Sequence, residues 1–477
     1  MKQVSSDYEI KMASSCRNRS HVKITLVSGG VTYEFKDEDI SSTSRTDDID
    51  PISRRAPKET FTFSIFDYLG EYNPSNPIGK WSSLDENAEI SVTYGFELSN
   101  SSIEWLSSDY YILSGKPTFS NGIVTFKANS KLTSLTKSYY KGVVDSSNLY
   151  DLAEAVLLDA GIDSNHYEID DSLENIVTTA PIPVTSHLNA LQLIAHAGLC
   201  YIRTVSGVIH IEKLNLSKDT SDFYIGLDSI ELNGDAISKI ETLYEVEASL
   251  FSYVAEESSS ELGRFVIDAS EETKCHVEYP LSKNQTIAIS GSATLTDTHL
   301  YGSAADFTIE GTGTFEVVVT GYKVKSSSSK VISVISNNAN GSTDSEKNEL
   351  ITSYATLYAL IYHVSNYLRY RLTHTVKYRG NPELESSDIV YFATKYDNKN
   401  IRALVLSTTL NYDGALSGSL ILKSLNEIDE CNLYDSVPTL VEDSNDEAIS
   451  IISDTNYQSD YLSSEMDEFI SEVNEDE

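Results

Sequence analysis

The chain has 477 residues, of which 40% are hydrophobic and 22% are charged, so it is too long for a single core and several domains are expected. Its 72 acidic and 35 basic residues give a formal net charge of -37, which disfavours a surface that binds nucleic-acid phosphates, because such binding depends on counterions displaced by Lys and Arg. The presence of 30 Tyr beside only 3 Met and 2 Trp favours β-rich structure.

The first 145 residues predict a β domain. Apolar and polar residues alternate in several runs, which is the period-2 pattern of a sheet that buries one face. These runs are 22–27, 60–66, 89–94, 110–113 and 123–126. The dipeptide Asn121-Gly122 is a strong hairpin signal, because both residue types tolerate positive φ. We therefore predict a first small antiparallel β-barrel over residues 1–145.

Residues 146–235 predict an α/β domain. Apolar residues recur at helical spacing from Leu149 to Ala160, with Ser147 or Asn148 as a start and Gly161 beyond the end. A second helix is predicted over His187–Ala197, and a hairpin that turns at Gly207 follows it. His187 and His196 lie nine positions apart on this helix, which points them to opposite faces and is poor geometry for one metal ion.

The next stretch, 236–345, returns to β patterning and predicts a β-rich insert. Within it, residues 256–261 and the serines 326–329 are interpreted as exposed loops. From Leu350 to Leu368 an apolar stripe predicts one long helix, which we expect to pack on its own sheet. Residues 346–430 would thus hold this helix and a second small antiparallel barrel.

The last segment, 431–477, is an acidic tail. From residue 432 onward it has fourteen Asp and Glu and no Lys or Arg, a composition typical of solvated segments. Interspersed apolar residues leave open that it docks on a neighbour. The fold class is therefore α+β and predominantly β, with two barrels separated by an α/β domain and an all-β insert.

Catalytic motifs are missing from the sequence. It contains no zinc-protease His pair, nucleophile elbow, phosphate-binding loop or dinucleotide fingerprint in a supporting context. The four Cys are scattered, without a paired spacing, and are expected to be free thiols. We predict no cofactor, no metal site and no enzyme activity. No signal peptide and no run of about 18 apolar residues is found, so synthesis in the cytoplasm and no membrane span are expected.

Several segments, taken in order, resemble the baseplate hub and tail-tip proteins of tailed phages and phage tail-like particles. The segments that carry the resemblance are 60–77, 110–115, 124–128, 149–153, 379–390, 401–406 and 410–418. This resemblance implies a structural protein at the distal end of a virion tail, in which a homotrimer presents six similar barrels around a channel. It also implies a tail tube or distal tail protein as a partner on one side, and a spike, fibre or receptor-binding protein on the other.

A tape measure protein is a further candidate partner, and DNA is expected only as passing cargo. We predict contact residues in two turns of the barrels, which comprise Asn73, Pro74, Asn76, Pro77, Gly380, Asn381, Pro382 and Leu384. Two alternatives stay open. One is a tail-associated peptidoglycan hydrolase with its site in the 236–345 insert, and the other is a carbohydrate-binding adhesin that uses Trp81 or Trp105, although Trp in a β-domain is more often part of the core.

Overall fold

The computed structural model of the chain describes residues 2–13, 19–214, 224–335, 341–394, 400–425 and 439–443. It is predominantly β, which confirms the predicted class. The described α-helices are α1 (Ser6–Ala13), α2 (Leu149–Asp159), α3 (His187–Ala197) and α4 (Tyr354–Leu368).

The N-terminal β module contains nine strands. They are β1 (Ser20–Ser28), β2 (Val31–Phe35), β3 (Ile40–Asp48), β4 (Lys58–Phe66), β5 (Glu89–Glu97), β6 (Ile103–Trp105), β7 (Asp109–Leu113), β8 (Thr118–Ser120) and β9 (Ile123–Asn129). A short strand, β10 (Ser138–Tyr139), follows the module and lies outside its sheet. All five strands predicted here are present, and Asn121 and Gly122 form the β8–β9 turn with φ of 52° and 75°. Alternate residues of β4, among them Phe61 and Phe63, fill the core of this module.

The helical module follows the predicted pattern closely. Its strands are β11 (Ser147–Asn148), β12 (Tyr167–Ile169), β13 (Val177–Thr178), β14 (Thr185–Ser186), β15 (Cys200–Val205) and β16 (Val208–Lys213). Asn148 caps α2 by accepting a hydrogen bond from the backbone of Asp151, and Gly207 turns the β15–β16 hairpin at a φ of 85°. The predicted helices and hairpin are thus confirmed.

The β-rich insert is organised around one long strand. The strands in this part of the chain are β17 (Tyr224–Ile225), β18 (Ile230–Lys239), β19 (Leu243–Ala255), β20 (Ser260–Ala269), β21 (Glu272–Glu278), β22 (Ser282–Ile289), β23 (Thr294–Leu300), β24 (Ala304–Glu310), β25 (Gly313–Val334) and β26 (Ser342–Lys347). Of these, β17 and β18 pair with strands near the C-terminal end of the chain, whereas β20 to β25 enclose a small core of their own. The strand β25 pairs with β20 and β22 in its first half and with β19 in its second half.

The C-terminal strands are β27 (Leu372–Tyr378), β28 (Ile389–Ala393), β29 (Asn400–Tyr412), β30 (Leu416–Ser424) and β31 (Thr439–Asp443). With β17 and β18, strands β27 to β30 form a second β module. The two modules are joined edge to edge, because β3 pairs antiparallel with β29, with Thr43 opposite Tyr412 and Asp48 opposite Ser407. The result is one continuous 15-stranded sheet with a main path that ends at β2 and at β18.

The helices meet in a central core. Leu357, Leu360 and Val364 of α4 pack together with apolar residues of α2, α3 and β19. The long helix thus covers its own chain. The finer prediction of two separate barrels is not confirmed, and the domain boundaries at 145, 235, 345 and 430 stay predictions. The prediction for the acidic tail lies outside the described residues apart from β31, which pairs with β25.

Candidate functional site

A small cavity lined by charged groups lies where the N-terminal β module, the β15–β16 hairpin and the loop before β28 meet. It offers about 30 Å³ to water, which is enough for one or two molecules. The lining residues are Arg45, Asp47, Glu59, Asp109, Tyr110, Tyr111, Ser130, Thr204, Ser206, Gly207 and Glu385. Charged side chains in such a position need partners that compensate for the loss of water.

Glu59 is placed inward by the alternation of β4. It shares the buried face of that strand with Phe61, Phe63 and Ile65, and only 4% of its surface is exposed. One carboxyl oxygen, Oε1, accepts the backbone N–H of Thr204 at 2.6 Å. The other oxygen, Oε2, is buried and has no hydrogen-bond partner among the described residues. A carboxylate in this position is poorly satisfied, whereas a protonated carboxyl is much cheaper to bury.

Asp47 stands directly opposite Glu59 in the β3–β4 pair. Its two carboxylate oxygens accept hydrogen bonds from Ser386, from the backbone N–H at 3.0 Å and from Oγ at 2.7 Å. Burial, and next the negative charge of Asp47, raise the pKa of Glu59 to about 7. Burial also raises the pKa of Asp47, although the hydrogen bonds from Ser386 oppose the shift.

Arg45 and Asp109 form the second half of the cluster. Arg45 Nη1 donates to Asp109 Oδ2 at 2.6 Å, and Nη2 donates to the carbonyl of Leu384 at 3.0 Å. Lys2 Nζ donates to Asp109 Oδ1 at 2.6 Å and to the carbonyl of Ser107 at 3.0 Å. Burial alone would raise the pKa of Asp109, but the charges of Lys2 and Arg45 outweigh it and lower that pKa.

The charges of the cluster balance when one proton is added. Lys2 and Arg45 are the cations, and Asp47, Glu59 and Asp109 are the carboxyls. The remaining lining acid, Glu385, lies 3.9 Å from Arg203, which also pairs with Glu212 at 2.7 Å. Protonation of Glu59 makes the cluster neutral, which is the arrangement that a buried site favours.

The cluster joins three parts of the chain. Asp47 and Arg45 bind the 384–386 loop, and Glu59 binds the β15–β16 hairpin. Lys2 holds the N-terminal segment against the cluster by binding Asp109. A protonated carboxyl could act as a general acid. However, a cavity that holds one or two waters is too small for a sugar ring. The geometry therefore favours an internal joint between these parts of the chain, in which Glu59 is a carboxyl with a raised pKa.

The predicted contact loop 73–77 lies at the surface and is held in place by hydrogen bonds. Asp67 accepts the backbone N–H groups of Glu71 at 2.9 Å and Tyr72 at 2.8 Å. Asn73 and Asn76 each accept the backbone N–H two residues later, while Pro74 and Pro77 are exposed. The flanking residues Tyr68, Leu69 and Ile78 are 84%, 85% and 93% exposed. An apolar surface of this kind is typical of a contact site.

The second predicted contact turn is placed differently. Gly380, Asn381, Pro382 and Leu384 are all buried within the chain. Asn381 Oδ1 accepts the hydroxyl of Tyr8 at 2.9 Å, in the helix α1 that the sequence did not predict. This turn therefore packs against the N-terminal segment. Its contact with another subunit stays a prediction, and its burial leaves little surface for one.

The two histidines of α3 each have a carboxylate partner of their own. His187 Nε2 lies 2.8 Å from Asp159 Oδ2, and its Nδ1 lies 2.7 Å from the carbonyl of Lys137. His196 Nε2 lies 2.9 Å from Glu346 Oε2, and the other oxygen of this carboxylate, Oε1, pairs with Arg54. These contacts fit the prediction that the two histidines do not share a metal ion.

Other predicted features can also be located. In the part of the chain that the structure describes, no group of three or more His, Cys, Asp or Glu could hold a metal ion. Cys200 and Cys275 are free thiols, as predicted, whereas Cys16 and Cys431 lie outside the described residues. Neither Trp is a core residue, since Trp81 is half-buried and Trp105 is 45% exposed. None of the described helices is long and apolar enough to cross a membrane.

The charge cluster was not predicted from the sequence, although one signal pointed to it. In the run from Lys58 to Phe66 the inward positions are those of Phe61, Phe63 and Ile65, and Glu59 lies in the same phase. A charged residue at an inward position indicates a buried polar contact. The partners from 109, 204 and 386 could not be found in this way, because they are distant in sequence.

Comparisons with known proteins gave matches only among solved structures. No protein-family model and no curated protein matches the chain. A tail protein from Neisseria meningitidis has a TM-score of 0.47 and 11% identity, over 84% of this chain and 96% of that chain. A 43 kDa prophage tail protein from Shewanella oneidensis has a TM-score of 0.45 and 11% identity, over 84% and 98%.

Prophage tail protein gp18 from Listeria monocytogenes has a TM-score of 0.42 and 8% identity, over 87% of this chain and 95% of that chain. These three structures are tail proteins, the class that the sequence motifs also resemble. With TM-scores below 0.5, these likenesses do not carry a function to this chain.

Proposed function

We propose that the chain is a structural hub protein of a phage tail or tail-like particle. It would form a homotrimeric ring that lines the channel and links the tail tube to a spike, fibre or receptor-binding protein. The observation that carries the proposal is the joining of two β modules through β3 and β29 into one open sheet. A protomer with two modules side by side allows three copies to present six lobes, as the sequence resemblance implies.

The sheet offers two edges for closing such a ring. Among the described residues, β2 pairs only with β1, and β18 pairs only with β27. Open edges of this kind readily take another strand. When the β18 edge of one copy meets the β2 edge of the next, the contact is head-to-tail, and such contacts form a ring when the rotation between copies closes. Val31 on β2 and Ile237 on β18 are 51% and 47% exposed, so apolar surface is available at both edges.

The partners that we propose are those that the sequence resemblance implies. The ring would bind a tail tube or distal tail protein on one face and the tip protein on the other, with a tape measure protein as a further candidate. The net charge of -37 would let DNA pass through the channel without binding. The exposed loop 73–77 with its apolar flanks is the contact region that we favour for a neighbouring tail protein. The protein would be made in the bacterial cytoplasm and function at the distal end of the virion tail.

A mass measurement tests the ring. We expect the purified chain, alone or mixed with its tube protein, to reach three times 52.7 kDa. Replacing Val31→Lys and Ile237→Lys together should yield monomers, because charges at both edges oppose strand addition. Val266→Lys is the matched control, since Val266 is 71% exposed on β20 of the insert. A wild-type chain that stays monomeric in both conditions, or an edge variant that still assembles, contradicts the proposal.

The adhesin alternative has one observation in its favour. Trp105 is 45% exposed on β6, close to the edge of the N-terminal module, and exposed indole rings can stack on sugars. Binding to a glycan array that is lost on Trp105→Ala would favour the adhesin over the hub.

The hydrolase alternative placed its site in the insert, whereas the cavity with a raised-pKa carboxyl lies outside residues 236–345. Zymography on cell walls tests for hydrolase activity, which neither the hub nor the adhesin would show.

A further inference from the structure

Residues 2–13, which include the helix α1, lie across the joint between the two β modules and belong to no described sheet. They bind the N-terminal β module through two charge-assisted hydrogen bonds. Lys2 Nζ donates to Asp109 Oδ1 of β7 at 2.6 Å. The backbone N–H of Ser5 donates to Glu104 Oε1 of β6 at 2.8 Å. The segment is therefore attached to this module by charged groups and not by a strand ladder.

The same segment also binds the turn that precedes β28 in the second β module. The backbone N–H of Lys2 donates to the carbonyl of Glu383 at 3.1 Å. The hydroxyl of Tyr8 donates to Asn381 Oδ1 at 2.9 Å. Residues 2–13 thus contact both modules, and they connect them separately from the β3–β29 ladder.

Two buried side chains anchor this connection. The side chain of Lys2 is 2% exposed, and Tyr8 is fully buried. The ring of Tyr8 lies 5.3 Å from that of Phe96 and packs with Leu106. The remaining residues of 3–12 are exposed or half-buried. Few buried apolar contacts are typical of a segment that opens locally while the rest of a protein stays folded.

The helix α1 does not supply the order of this segment by itself. It has eight residues, and isolated helices of this length are marginal in water. Its first turn is capped by Ser5, whose Oγ accepts the backbone N–H of Tyr8 at 3.2 Å. The conformation of α1 therefore depends on the docking of its anchors in the joint.

We propose that residues 2–13 are a releasable clasp between the two β modules, which opens as one unit while both modules stay folded. Release uncovers the groove in which Tyr8 lies, formed by Phe96, Leu106 and Asn381. It leaves the modules joined by the β3–β29 ladder and by the contacts of the charge cluster. The clasp does not depend on the proposed ring.

Amide hydrogen exchange of the full chain tests the clasp. The amides of Tyr8 and Glu9 report on it, because they donate to Oγ and to the carbonyl of Ser5. The amide of Phe63 reports on the core of the N-terminal β module, since β4 is paired on both sides. Ile65→Val trims a buried side chain of that core and should speed exchange at Phe63 by about threefold to tenfold. Tyr8 and Glu9 should keep their wild-type rates, whereas equal acceleration at all three amides would mean that the clasp opens only when the module unfolds, which overturns the proposal.

A second variant tests whether the two anchors hold one unit. Lys2→Met should speed exchange at Tyr8 and Glu9 by about tenfold, because the loss of one anchor frees the whole segment. Lys36→Met is the matched control, since Lys36 is exposed, and it should leave both rates unchanged. Unchanged exchange at Tyr8 and Glu9 in Lys2→Met means that the anchors act independently, and the clasp is then ruled out.

A third variant tests the contact with the second β module. Tyr8→Phe removes the hydroxyl that binds Asn381 and keeps the ring against Phe96, so exchange at Glu9 should rise by about threefold or more. Tyr68→Phe is the control, because Tyr68 is 84% exposed. If Glu9 exchanges at the wild-type rate in Tyr8→Phe, the segment is held by the N-terminal β module alone and does not bridge the joint.

Discussion

Glu59 and Asp47 lie directly opposite each other across the β3–β4 pair, and of these two carboxyl groups Glu59 is buried and Asp47 is half-buried. Like charges in such a pair destabilise a sheet. One proton, held on Glu59, removes the repulsion and balances the surrounding charges. The stability of this charge cluster is therefore expected to depend on pH.

The first prediction concerns pH. The pKa of Glu59 is raised to about 7, above its ordinary value of 4.5. A raised pKa means that the folded state holds the proton more tightly, so its contribution to stability is complete below about pH 4.5 and is lost as the pH rises through about 7. The free energy of unfolding should fall by about 3 kcal/mol across this window. Glu59→Gln, which keeps an acceptor for the Thr204 N–H, should flatten the dependence.

Calorimetric melting of the wild-type and variant chains at several pH values measures this effect. Glu89→Gln is the control, because Glu89 is exposed on β5, and it should keep the wild-type profile. Parallel pH profiles for the wild-type chain and Glu59→Gln would contradict the assignment of the proton to Glu59.

The second prediction concerns Arg45. Its side chain is 3% exposed and pairs with Asp109 and the carbonyl of Leu384. Arg45→Met leaves a buried carboxylate with one cation and a carbonyl without its donor, so we expect a loss of about 3 to 5 kcal/mol in the free energy of unfolding. Arg55→Met is matched, because Arg55 pairs with Asp48 but is 53% exposed, and it should cost about 1 kcal/mol or less.

Chemical denaturation followed by fluorescence compares these two arginine variants. If they lower the stability of the chain equally, the cluster is not the joint that the structure indicates.

The third prediction concerns the turn at Gly380. Its φ is 80°, and a Cβ at this position would lie 2.9 Å from the backbone of Ser417. Gly380→Ala should therefore lower the free energy of unfolding by about 1 to 3 kcal/mol, which is more than the strain of a positive φ alone would cost. Gly414→Ala is the control, since Gly414 has a φ of 97° and open space around its Cα. Thermal melting should rank Gly380→Ala below Gly414→Ala, and the reverse order would contradict the packing described for this turn.

The fourth prediction concerns the contact loop 73–77. Asp67 holds the start of this loop by accepting two backbone N–H groups. Asp67→Ala should speed amide exchange at Glu71 and Tyr72, because both donors lose their acceptor. Asp85→Ala is a matched control, as Asp85 accepts the backbone N–H of Gly29 at 2.7 Å in another turn. Unchanged exchange in the Asp67 variant would show that the loop is held by other contacts.

Local signals predicted the local parts of the fold. The cap at Asn148, the helix His187–Ala197 and the turn at Asn121-Gly122 each depend on residues within a few positions, and each is confirmed. The prediction of a loop at Ser326–Ser329 was wrong, since these serines lie within β25. Serines have little intrinsic preference for strands, but β19 pairs with every one of them. Pairing with β19 therefore stabilises the strand conformation of these serines, which the local sequence does not specify.

Long-range relationships could not be predicted in the same way. The β3–β29 pair joins residues more than 350 positions apart, and no pattern within either strand specifies its partner. The turn 380–384 was identified correctly as a turn, but its burial depends on α1 and Arg45. For the same reason the charge cluster follows from the fold and not from any motif.

The strand β25 belongs to two units at once, because its first half closes the small insert core and its second half lies in the central core with β19. The hydrogen bonds of an antiparallel ladder run perpendicular to the strands. A pull on the insert along the strand axis would therefore load the eleven β19–β25 residue pairs together in shear. It would not break them one after another, as a pull along the hydrogen bonds at one end would. The insert is thus attached to the body by a mechanically stiff element that can transmit tension.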